Sequence, residues 1–162
     1  MSTTQVPNET DLSEIVEQVW SSYLDPEGVN PLIRVEDLSP GAEVHSSVSI
    51  TGSWHGHVVY ASSTAAARHA AAAFLAMEVD EVSGEDIADV LGEMANIIGG
   101  NVKSMLPPGC FLSLPRVVLA PDSATRYPSA VRVSGLAGTW LGEPVSISMW
   151  QSKNDVHKEE TA

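Results

Sequence analysis

A single cysteine, Cys110, in a chain of 162 residues excludes an intrachain disulfide and any zinc site built on a cysteine cluster. Basic residues are scarce as well: eight Lys and Arg stand against 21 Asp and Glu, a formal charge of −13. Nucleic-acid phosphates demand a basic face, and so does an anionic membrane surface, so both are excluded as expected partners. A basic partner, or a small basic pocket on an acidic one, stays open. Long apolar runs are missing too. The longest candidate, Ala65 to Met77, is interrupted by Arg68 and His69 and falls short of the roughly 18 residues that mark a membrane span. The N-terminal residues lack the basic and apolar regions of a signal peptide. The expectation is a soluble cytoplasmic protein.

What is present fits one globular domain. Hydrophobic residues make up 43%, an ordinary globular share, and the length is enough to bury a core. The expected organisation is a disordered N-terminus over 1–10, a single domain over 11–150 and a polar tail over 151–162. Leu12, Ile15, Val16, Val19, Trp20 and Tyr23 follow helical spacing, with Asp11 or Ser13 able to cap the start and Asp25-Pro26-Glu27-Gly28 ending it. Val44 to Thr51 alternates as a strand, and His57 to Ser62 returns after a turn, which predicts a hairpin. Thr64 to Met77 is Ala-rich and reads as a helix. A longer helix opens at Ser83-Gly84-Glu85-Asp86 and is closed by Pro107-Pro108-Gly109. Phe111 to Leu119, with Pro115 hinting at an edge or a bulge, reads as a strand. Ala130 to Ser134 and Glu143 to Trp150 are two further strands, joined by Gly135 to Gly142. Runs of strands and runs of helices predict an α+β fold of two layers, an antiparallel sheet with long helices on one face.

The long helix carries two stripes. Ile87, Leu91, Met94, Ile98, Val102 and Met105, with Val90 beside them, repeat at three- and four-residue spacing and form the expected core face. Asp89, Glu93, Asn96, Gly100 and Lys103 form a second, polar stripe about 100° around the helix. An acid and a carboxamide at i and i+3 share a face. Such a pair is ordinarily solvated surface. Gly99-Gly100 is read in two ways: as a helix end with a glycine cap, or as a notch in a continuing helix. The apolar spacing through Val102 and Met105 favours the second.

The segment Gly92-Glu93-Met94-Ala95-Asn96-Ile97-Ile98-Gly99-Gly100-Asn101-Val102-Lys103 resembles the signature of CheX, within the CheC/CheX/FliY group of chemotaxis phosphatases. That pattern is an acid or Ser, three residues, Glu, two residues, Asn, and Asp89, Glu93 and Asn96 match it. The similarity extends upstream through Ile50-Thr51-Gly52, the turn to Gly56 and the Ala-rich helix, and downstream through Leu112-Ser113-Leu114-Pro115. The resemblance implies the CheC-like two-layer fold and an enzyme that hydrolyses the aspartyl phosphate of a CheY-type receiver. Asn96 would orient the attacking water and Glu93 would pair with the receiver's lysine. Asp89, Gly100 and Lys103 would contact the partner. No metal or cofactor of its own is implied, and Mg²⁺ would belong to the receiver. The group also implies a homodimer. CheC-type members carry two such helices, whereas the first helix here offers Glu14-Ile15-Val16-Glu17, an acid pair without Asn that should be catalytically silent. The family's proline after the Asn is matched by either Pro115 or Pro121. The alternative to an enzyme is a receiver-binding or flagellar-switch-type scaffold without catalysis.

Other motifs carry less. His55 and His57 alternate as a two-His metal site requires, but no nearby Asp, Glu or Cys completes one. Trp54, Leu136, Trp140 and Leu141 are either interface or core residues. Ser62-Ser63 is explained by helix capping, and Cys110 by packing.

Overall fold

The computed structural model of the protein describes residues 6–36, 42–119 and 129–153. Expectations for 1–5 and 154–162, and for Pro121, lie outside the described residues. Helix α1 (Glu9–Val19) buries Leu12, Ile15, Val16 and Val19 and passes into a π-helical turn, Trp20–Leu24. A short strand β1 (Ile33–Val35) precedes the hairpin of β2 (Val44–Gly52) and β3 (Gly56–Ser62). Helices α2 (Thr64–Leu75) and α3 (Gly84–Met105) follow, separated by a 3₁₀ turn at Val79–Glu81. Strands β4 (Cys110–Leu112), β5 (Arg116–Val118), β6 (Ala130–Trp140) and β7 (Glu143–Ser152) complete the chain.

The seven strands form one sheet in the order β1-β6-β7-β3-β2, with β4 and β5 lying end to end along the outer edge of β2. Every pairing is antiparallel. This is the α+β architecture expected, with three helices packed against the sheet. Alternation explains which face is covered: Val44, Val48 and Ile50 on β2, Val58 and Tyr60 on β3, and Val145, Ile147 and Met149 on β7 are all buried in the core. Small residues let the helices approach. On α2, Ala66, Ala67, Ala70 and Ala71 are fully buried. Helix α3 lies over β2 and β3 with α1 and α2 as neighbours.

Several details depart from the sequence reading. The first helix begins at Glu9, capped by Asn8 rather than by Asp11 or Ser13; Asp11 instead completes a capping box by accepting from the Asn8 N–H. Gly135 to Trp140, expected as a connection, is the second half of β6, and the turn to β7 is confined to Leu141-Gly142. The strand expected over Phe111 to Leu119 is split into β4 and β5. Trp54, Leu136 and Trp140 are core residues, and Trp140 meets Trp20 edge to face. Cys110 is buried as expected, with its thiol against the Ser53 hydroxyl at 3.2 Å. Ser63 caps α2 by accepting from the Ala66 N–H.

Candidate functional site on helix α3

Helix α3 runs 22 residues without a break, so Gly99-Gly100 is not its end. Its start is fixed by a reciprocal pair: the Ser83 hydroxyl accepts from the Asp86 N–H and the Asp86 carboxylate accepts from the Ser83 N–H. Leu91, Met94, Ile98 and Val102 are completely buried, which fixes the helix in rotation. Met105, expected on this face, is 41% exposed, and Leu106 seals the core end in its place.

With the core face fixed, the other stripe is set. Glu93, Asp89 and Lys103 are exposed, while Asn96 and Gly100 are half-buried. The two glycines, read together from the sequence as one notch, have different roles. A methyl group at Gly99 would overlap the Val48 side chain of β2 and crowd Leu112 at 3.3 Å. Gly99 therefore lets α3 lie close on the sheet. At Gly100 nothing comes within 4 Å of such a methyl, so this glycine alone is the opening on the outer face. Gly92, two helical turns before Gly99, would place a methyl 3.4 Å from the Pro115 ring. One line of α3 is thus walled by the segment from Leu112 to Pro115, and Asn96 lies between the ends of that line.

The polar groups on this stripe are uncommitted. Asn101, just off it, donates from Nδ2 to the Ile97 carbonyl at 2.8 Å and is occupied by its own helix. Among the described residues, the side chains of Asn96 and Glu93 have no hydrogen-bond partner, and Asp89, Glu93 and Lys103 enter no ion pair. Asp89 and Glu93 stand four residues apart, a like-charge spacing that costs an isolated helix about 0.2–0.5 kcal/mol. An incoming cation would relieve it. The cavity of about 150 Å³ lined by Val35, Ala61, Ala137 and Val145 includes none of the stripe residues, and of the stripe only Lys103 lines the open depression beside Leu106 and Pro107. Asp89, Glu93 and Lys103 are exposed, as suits groups that meet a partner's surface, while Asn96 sits half-buried between them.

The remaining candidates do not assemble. His57 lies 3.2 Å from the Ser49 hydroxyl through Nδ1, and burial lowers its pKa below the ordinary histidine value. No group of three or more His, Cys, Asp or Glu among the described residues is placed to hold a metal. In α1, Glu14 and Glu17 are both exposed and no Asn follows either glutamate at the three-residue spacing; the carboxamide of this helix is Gln18, next to Glu17. The wall formed by Leu112 to Pro115 was not read from the sequence as part of the site. Its signal was the proline inside an edge-strand pattern.

Comparison with known proteins places this geometry. The fold matches a chain of the CheX–CheY–BeF3–Mg²⁺ complex from Borrelia burgdorferi with a TM-score of 0.73 at 16% identity, covering 91% of this chain and 100% of that one. The chemotaxis protein CheX from Vibrio vulnificus matches with a TM-score of 0.68 at 15% identity, over 92% and 100% of the two chains. FliY from Thermotoga maritima matches at 0.55 and 16% identity, over 93% and 92%. At these identities the likeness is one of fold. No curated protein matches by sequence. The family model for chemotaxis phosphatase CheX matches residues 44–148, a span that contains the hairpin, α2, the whole of α3 and most of the remaining sheet, and the chain belongs to the CheX family of chemotaxis phosphatases.

Proposed function

We propose that this protein removes the phosphoryl group from a CheY-type receiver by inserting the polar stripe of α3 into the receiver's phosphorylation site. The observation that carries this reading is the pairing of Glu93 and Asn96, one turn apart on a firmly packed helix, with side chains that have no partner among the described residues. An aspartyl phosphate is an activated acyl phosphate, so no enzyme nucleophile is required. Water attacks phosphorus in line, the P–O bond to the aspartyl oxygen breaks, and a carboxylate and inorganic phosphate are released. Positioning and charge stabilisation dominate such a transfer.

The Asn96 carboxamide suits the positioning role. Its oxygen accepts a hydrogen bond from the water, while its nitrogen can donate to an oxygen of the phosphoryl group. It does not act as a base at neutral pH. Glu93, one turn away, pairs with the receiver's lysine and sets the depth of insertion. Asp89 adds negative charge beside it, Gly100 admits the partner's surface, and Lys103 contacts its rim. Mg²⁺ belongs to the receiver, and this chain brings no cofactor. The family supports a cytoplasmic homodimer.

The test is to mix the protein with a phosphorylated receiver and follow phosphate release. Asn96→Ala is expected to lower kcat by about 100-fold, the range seen when one positioned hydrogen-bonding group is removed from a reaction centre, while receiver binding persists. Glu93→Ala is expected to weaken binding. Full activity in Asn96→Ala would refute the assigned mechanism. Receiver binding by the unaltered protein without faster phosphate release would instead make it a docking module.

A further inference from the structure

The outer edge of the sheet carries a one-residue bulge. Strand β4 pairs Leu112 with Ile50, and β5 pairs Arg116 with Ser47. Between these pairs, Ser113, Leu114 and Pro115 face only Val48 and Ser49, three residues against two. Bulges recur beside active sites, where they re-aim a side chain. This one is held firmly. The Ser113 N–H donates to the Ser49 carbonyl at 2.9 Å. The Ser113 hydroxyl accepts from the Ser49 N–H at 2.8 Å and donates to the Leu114 carbonyl at 2.9 Å. Pro115 fixes its own φ and restricts Leu114 to extended backbone. The result is a displayed leucine: Leu114 is 89% exposed, more than any other large hydrophobic residue described.

Its location gives this display a use. Pro115, the next residue, lies against Gly92, and Leu112, two residues before, lies against Gly99. The bulge therefore runs beside the stretch of α3 that bears Glu93 and Asn96. We propose that Leu114 is a docking residue for the receiver, an apolar contact continuous with the polar stripe. This rests on the function proposed above. The stripe is about 20 Å long from Asp89 to Lys103 and wholly polar, whereas the centre of a protein interface is apolar and desolvated. Leu114 supplies that element. Charge selects the occupant. The adjoining carboxylates of Asp89 and Glu93 call for a surface bearing a cation, and a second copy of this chain, with eight Lys and Arg against 21 Asp and Glu, is poor in such surfaces.

The experiment measures kcat and KM for a phosphorylated receiver with the full chain, its Leu114→Ala and Leu114→Asp variants, and Asn96→Ala. Because Leu114 is exposed, the unfolding midpoints of both variants should match the parent. Leu114→Ala is expected to raise KM about tenfold, or about 1.4 kcal/mol, with kcat unchanged, and Leu114→Asp to raise it further. Asn96→Ala should do the reverse, lowering kcat. KM within twofold of the parent in both Leu114 variants overturns the proposal while leaving the phosphatase reading intact. A shift in oligomeric state in Leu114→Asp with unchanged KM also overturns it, by assigning the residue to self-association. An unaltered protein that neither binds the receiver nor speeds phosphate loss overturns both readings.

Discussion

Helices α1 and α3 begin alike and end as different devices. Each opens on a reciprocal capping box, Asn8 with Asp11 and Ser83 with Asp86, and each buries one apolar stripe. Each also carries a glutamate followed three residues later by a second polar side chain: Glu14 and Glu17 on α1, Glu93 and Asn96 on α3. The spacing is therefore not the site. Two things differ. A carboxylate in the second position only accepts hydrogen bonds at neutral pH, and beside an aspartyl phosphate it would add repulsion; a carboxamide both accepts and donates. Helix α1, at 11 residues, has no glycine and gives way to a π-helical turn. Helix α3, at 22 residues, uses Gly92 and Gly99 to lie against the edge strands, which places a rigid wall beside its polar pair.

The largest effect should come from removing that close approach. Gly99→Ala drives a methyl into Val48 in the core, and overpacking of this kind costs about 1–3 kcal/mol. A thermal melt should show Tm lower by several degrees. Turnover of the phosphorylated receiver should fall as well, since Asn96 moves with the helix. An unchanged Tm would mean that α3 does not depend on Gly99 to reach the sheet, and would weaken the contrast with α1.

Gly100→Ala should act in the opposite sense and more weakly. Its neighbour's substitution clashes, but here the space is open, and replacing a helix-interior glycine by alanine adds about 1 kcal/mol of stability. Tm should rise. KM for the receiver should rise severalfold, because the methyl occupies the outer face where the partner lies. A higher Tm with unchanged KM would remove Gly100 from the docking surface and leave it as a plain helix residue.

These paired glycines also show what pattern alone conveys. The hairpin, α2 and α3 were legible because their apolar spacing is long and regular, and the placement of Glu93 and Asn96 on one face away from the core followed from that spacing. The separate roles of Gly99 and Gly100 were not legible, since only packing against Val48 distinguishes them. Strand β1 is not legible because its three residues, Ile33–Val35, are too few for alternation to mark a strand. The second half of β6 was read as a connection because of Gly135 and Gly138. A Cβ at Gly138 would strike the Ile33 carbonyl, so this glycine marks the close passage of β1, as glycines inside strands often do. The bulge at Ser113 to Pro115 depends on register, which a proline in an edge strand hints at but does not specify.

The smallest expected effect tests the comparison most directly. Glu17→Asn gives α1 a glutamate and an asparagine at the same spacing as Glu93 and Asn96, on a helix that is already capped and packed. Side-chain identity would then be equal on the two helices, leaving only their surroundings different. In an Asn96→Ala background this substitution should restore no phosphatase activity, because α1 has no glycine and packs on β6, away from the segment Leu112 to Pro115 that lies against Gly92 and Gly99. Stability should change by less than about 0.5 kcal/mol, as expected for an exposed helix position. Phosphate release from a phosphorylated receiver is the readout, compared between Asn96→Ala and the double variant. Any clear rescue would show that a glutamate and an asparagine on one helical face suffice, and that the wall beside α3 is incidental to the reaction.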